Sequence, residues 1–162
     1  MVEMHLLWVN KTFVYDAIYA LGVVTTFDRF MAGYQPESDK APIFEALCTA
    51  TAAKASQYRQ DADRLLKDAE GIAADQVSDI FTHTPSALSA LFETVAQNQT
   101  FKYSRLFAIG LTRLLSEIDP ALLEDQERFQ TLLGSAATHL GLPEEKLKKD
   151  VELYLSNLEK MS

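Results

Sequence analysis

A segment that occurs twice constrains this chain more than anything else in it. FVYDAIYALGV runs from Phe13 to Val23, and FKYSRLFAIGL runs from Phe101 to Leu111. Phe, Tyr, Ala and Gly coincide, and the other apolar places exchange Ile for Leu, Tyr for Phe, Leu for Ile and Val for Leu. Each copy reads as an aromatic elbow, then a residue suited to capping a helix, Asp16 or Ser104, then a nearly uncharged helix. Leu21 to Phe27 and Leu106 to Thr112 carry no charge on any face, the pattern of helices surrounded by protein. A glycine inside a helix costs roughly 1 kcal/mol relative to alanine. Its return at the same place, Gly22 and Gly110, predicts that two central helices approach each other closely there.

The rest of the chain is also punctuated for helices. Gly33 and Pro36 end the first long one. Asp39 is placed to cap the next, which runs through Ile43, Phe44, Leu47 and Cys48. Ser56 to Glu70 predicts a polar helix with a narrow inward stripe of Tyr58, Ala62, Leu65, Leu66 and Ala69, stopped by Gly71. A short helix is expected over Asp75 to Phe81. Thr84-Pro85 opens Ser86 to Ala96, and the second copy leads into Ser104 to Glu117. Asp119-Pro120 repeats the cap-plus-proline signal for a helix closed by Gly141. Pro143-Glu144-Glu145 starts the last helix with negative charge at its positive end. Val23-Val24-Thr25-Thr26 is the best strand candidate, and it sits inside a helical pattern. The fold class is therefore all-α: a single compact bundle of about eight helices over residues 1–162, with two central apolar helices. Leu147, Val151, Tyr154, Leu158 and Met161 form a heptad seam on the last helix. That helix either packs on its own domain or projects from it.

Bulk properties exclude some functions. At 162 residues and 48% hydrophobic content the chain can bury a core. A net charge of −8 opposes nucleic-acid binding, which needs cations to displace counterions from phosphate. It also opposes electrostatic docking on an anionic membrane. Cys48 is the single cysteine, so no internal disulfide forms, and its apolar neighbours predict an inert core thiol in a reducing compartment. No cationic leader precedes the first apolar stretch, and the chain reads as soluble.

No chemistry declares itself in the residues. His5, His83 and His139 are scattered without metal-ligand spacing. There is no nucleophile elbow and no glycine-rich phosphate loop. No catalytic, cofactor-binding or metal-ligating residue is assigned, and no partner-binding residue either. Asp61, Asp63, Asp68, Glu70, Asp75 and Asp79 read as a solvated acidic face, with a basic partner as the alternative. Tyr103, Arg105 and Phe107 read as core packing and not base stacking. Asp28, Arg29, Arg105 and Arg113 lie on the two central helices and need partners where they are buried; an Asp28–Arg105 pair is expected.

Several strings resemble one family. VEMHLLWVN, YDAIYALGVVTTFDRFMAGYQPESD, APIFEALC, FKYSRLFAIGL and KLKKDVELYLSNLEK together look like the thylakoid formation, or photosystem II biogenesis, proteins of cyanobacteria and chloroplasts. Residues 56–98 match only loosely. The resemblance implies an all-helical, non-enzymatic accessory protein without cofactors. It implies a place at the thylakoid membrane periphery, on the cyanobacterial cytoplasmic or chloroplast stromal side. The implied partners are FtsH-type membrane protease complexes, with photosystem II subunits as further candidates, in photosystem II biogenesis and repair. The alternative is a helical adaptor for another thylakoid or signalling partner. Family members usually carry a further helical segment before VEMHLL and a longer charged tail after SNLEK.

Overall fold

The computed structural model describes residues 16–50, 54–73, 87–97 and 103–161. These form seven α-helices and two short 3-10 turns. The helices are α1 (Ala17–Phe30), α2 (Lys40–Ala50), α3 (Ala55–Glu70), α4 (Ala87–Gln97), α5 (Arg105–Ile118), α6 (Gln126–Leu140) and α7 (Glu144–Met161). No strand occurs among the described residues, and Val23 to Thr26 lie within α1. The expected short helix over 75–81, and the Thr84-Pro85 opening, lie outside the described residues.

The two copies start alike. Asp16 has extended backbone, and its carboxylate accepts from the Tyr19 amide at 2.7 Å. Ser104 has nearly the same φ and ψ, and its hydroxyl accepts from the Phe107 amide at 3.1 Å. Each thereby satisfies an amide that the helix leaves orphaned. Both helices are 14 residues long. On α1 every residue from Ile18 to Thr25 is buried, and on α5 every residue from Leu106 to Thr112. Such all-round burial is what their uncharged surfaces require.

α1 and α5 make the largest helix contact in the molecule, and the glycines explain how. A Cβ on Gly22 would fall 1.8 Å from the Leu106 carbonyl oxygen and 3.1 Å from the Gly110 nitrogen. A Cβ on Gly110 would fall 1.9 Å from the Ile18 carbonyl oxygen and 2.9 Å from the Gly22 nitrogen. Ile18 and Leu106 hold equivalent places in the two copies, each four residues before its glycine. The crossing is thus a local pseudo-twofold in which backbone lies against backbone, and any side chain at either glycine would prop it open.

Other helices wrap this pair. α3 turns Tyr58, Ala62, Leu65 and Ala69 inward, and Tyr58 meets Tyr19 edge to face with ring centroids 6.0 Å apart. Leu66 is half-buried. α7 buries Leu147 and Val151 of its seam, and Tyr154 is half-buried. To this point the last helix packs on its own bundle; Leu158 and Met161 add nothing, because their side chains lie outside the described residues.

One local expectation needs correction. Asp119-Pro120 opens only a 3-10 turn, Pro120–Leu123, and the helix closed by Gly141 starts at Gln126 with Asp125 as its cap. The Asp119 carboxylate accepts from the Ala121 amide at 3.1 Å and from Arg128 at 2.6 Å. That second bond ties the turn to α6 and bends the chain before a longer helix can run on. Asp39 closes the other 3-10 turn, Glu37–Asp39, directly before α2.

Candidate interaction surface

The charges on the central helices find partners other than the expected ones. Asp28 accepts from Arg59 of α3 at 2.9 Å, and not from Arg105. Arg105 Nε lies 3.7 Å from Asp150 of α7. Arg113 pairs with Glu117, one turn on, at 2.6 Å. Arg29 stands 6.0 Å from the centre of the Tyr154 ring. Burial raises the Tyr154 phenol above its ordinary range, and the neighbouring Arg29 pulls it back. Asp28 thus faces α3, which packs along α1, and Arg105 turns to α7.

Of the two buried carboxylates among the described residues, Asp119 is marked in the sequence only as a helix cap and Asp150 not at all. Asp119 is held by Arg128 as described. Asp150 is 8% exposed and accepts from the Tyr103 hydroxyl at 2.6 Å, with Arg105 beside it. Both have the partners that buried charge requires. Tyr103 and Arg105 therefore serve a junction between the second elbow and α7, and Phe107 serves the core. Tyr103, in the elbow two residues before α5, gave no hint of a carboxylate 47 residues away.

Arg59 is another such residue. Its guanidinium lies 4.4 Å from the Phe44 ring centre and 5.8 Å from that of Phe27. It thus closes the top of the α1–α2–α3 cluster while holding Asp28. Cys48 is buried beneath, and burial pushes its thiol up to about 11, with Arg59 acting in the opposite direction. A thiol so placed is a packing group.

Asp63 and Glu70 of the acidic stretch are exposed, and Asp61 and Asp68 are half-buried. Asp75 and Asp79 lie outside the described residues, as do His5 and His83. His139 is exposed in the last turn of α6. Among the described residues no group of three or more His, Cys, Asp or Glu could hold a metal ion. No helix among them is long and apolar enough to cross a membrane.

The surface does offer an apolar groove. It runs between the C-terminal half of α1, α2 and the start of α5, has a volume of about 530 Å³, and is walled by Phe27, Met31, Ile43, Leu47 and Ile109. Phe30 stands in it with 80% of its surface exposed. Burying an aromatic ring is worth about 1.5–3 kcal/mol, so a bare one is a cost that contact with another molecule removes.

Comparison with known proteins agrees with this fold. A family model described as Thylakoid formation protein matches residues 1–162. The protein Thf1 of a Picosynechococcus species is 48% identical over 167 residues, an alignment covering 100% of this chain and 66% of that protein. Thf1 of a Nostoc species is 49% identical over 170 residues, covering 100% of this chain and 72% of that protein. The chain thus spans about two thirds of the length of the first of these relatives. A solved structure of Psb29 superposes with a TM-score of 0.78 at 42% identity, covering 99% of this chain and 82% of that one.

Proposed function

The chain belongs to the thylakoid formation protein family, and on that premise we propose that it is a non-catalytic accessory protein of photosystem II biogenesis and repair. In this reading it acts with FtsH-type membrane proteases, helping to maintain the complexes that remove damaged photosystem II subunits. It sits at the periphery of the thylakoid membrane, on the cytoplasmic side in a cyanobacterium or the stromal side in a chloroplast.

The observation that carries the reading is the match of the family model to residues 1–162. The packing supports it. The two central helices meet backbone on backbone at Gly22 and Gly110, so the middle of the bundle is spent on cohesion and has no room for a substrate between them. What the molecule presents outward is surface, including an apolar groove with a bare aromatic ring, which suits holding another protein.

Co-purification tests it. The tagged chain, recovered from thylakoids under mild solubilisation, should bring an FtsH-type protease with it. Recovery of other proteins without that protease would contradict the reading.

A further inference from the structure

One residue, Arg105, is common to the groove beside Phe30 and to a second cleft, and the two linings together point to the kind of partner that fits. Arg105 lines the apolar groove and also lines a neighbouring cleft of about 540 Å³ that includes Lys146, Lys149 and Leu153. Leu153 is 47% exposed. The apolar floor at Phe30 therefore leads through one shared arginine to a rim of lysines with a further apolar foothold.

The charge on this rim departs from the rest of the molecule. Arg105, Lys146 and Lys149 face two carboxylates in the cleft, and one of these, Asp150, is buried and already engaged by Tyr103 and Arg105. Lys146 and Lys149 form no ion pair among the described residues. A locally cationic rim on a chain of net charge −8 selects a partner segment that carries acid, and steers its approach. Inside the groove the Thr26 hydroxyl donates to the Gly22 carbonyl at 2.8 Å, so it makes no call on a ligand. Apart from Arg105 at its edge, what remains there is apolar wall, a receptacle for side chains.

We propose that the face running from Phe30 through Arg105 to Lys149 docks an amphipathic helix of a protein partner. Large apolar side chains on successive turns of that helix enter the groove, and its carboxylates lie beside Arg105, Lys146 and Lys149. The groove is concave, which suits projecting side chains better than a lipid surface. The overall charge of −8 also opposes an anionic bilayer. The proposal takes from the accessory-protein reading only that a protein partner exists.

Photocrosslinking tests it. The 162-residue chain carrying p-benzoylphenylalanine in place of Phe30 is irradiated with isolated thylakoid membranes, and crosslinked peptides are identified by mass spectrometry. The expected product joins position 30 to a protein segment with apolar residues at helical spacing and acidic residues between them. Phe30→Ser and Lys149→Glu, both at exposed positions, should each lower recovery of that partner by about ten-fold while the melting temperature stays the same. Undiminished recovery with both variants would overturn this face and leave the accessory reading intact. Crosslinks confined to lipid, or to a second copy of this chain, would also overturn it. Failure of the unsubstituted chain to recover any protein partner would defeat both proposals together.

Discussion

Tyr103 donates its hydroxyl to Asp150 across 2.6 Å, joining the elbow before α5 to the last helix. Asp150 is 8% exposed, so its charge depends on donors the protein supplies. Tyr103→Phe removes one donor and leaves the ring in place. We expect a loss of about 1.5–3 kcal/mol, the range for a hydrogen bond to a charged group, read as a lower urea midpoint with unchanged slope. An unchanged midpoint would mean that the hydroxyl contributes nothing to holding α7.

Arg59 and Asp28 should behave unequally although they form one ion pair. The Asp28 side chain is 54% exposed, and a pair so open to water contributes about 0–1 kcal/mol. Arg59 also covers the Phe44 and Phe27 rings, which adds cation–π attraction and stem packing. Arg59→Ala is therefore expected to cost about 1–2 kcal/mol and Asp28→Ala less than about 1 kcal/mol. Thermal denaturation of the two variants checks the order, and the reverse order would contradict it.

Asp16 gives a pH dependence with a definite sign. Burial pushes its carboxyl up from 3.8 to about 6, against the backbone amides of Tyr19 and Ile18. Between those values the folded chain holds a proton that the unfolded chain has released, so this group's contribution to stability declines as pH rises from about 4 to about 6. Asp16→Asn keeps a capping oxygen and removes the titration. The variant should gain stability relative to the parent across that interval. A constant difference between the two from pH 4 to pH 7 would show that Asp16 is not desolvated at this cap.

The parts of the fold legible in the sequence are those set by short-range physics. Asp16, Ser104 and Gly141 act where caps and stops were expected, because capping is decided within one helical turn. The inward stripe of α3 follows its 3.6-residue period. The glycine crossing was legible only because the segment is doubled; one copy alone would have read as a helix with a weak point. The expected Asp28–Arg105 pair does not form, because each residue has its partner on a third helix, Arg59 of α3 and Asp150 of α7, and sequence spacing does not show which helices pack alongside. The docking face was not legible at all. Its members come from α1, α2, α5 and α7, and no local pattern links Phe30 to Lys149.

The account depends most on the packing of α1 against α5 without room for a side chain at Gly22 or Gly110. Gly110→Ala separates packing from propensity, because the two have opposite signs. In an uncrowded helix the change stabilises by roughly 1 kcal/mol. Here the added Cβ would meet the Ile18 carbonyl oxygen at 1.9 Å, and forcing the helices apart should cost about 1–3 kcal/mol. Chemical denaturation of the single variant decides between them: a lowered midpoint is the expected result, and an unchanged or raised midpoint would contradict a closed crossing at the centre of the molecule.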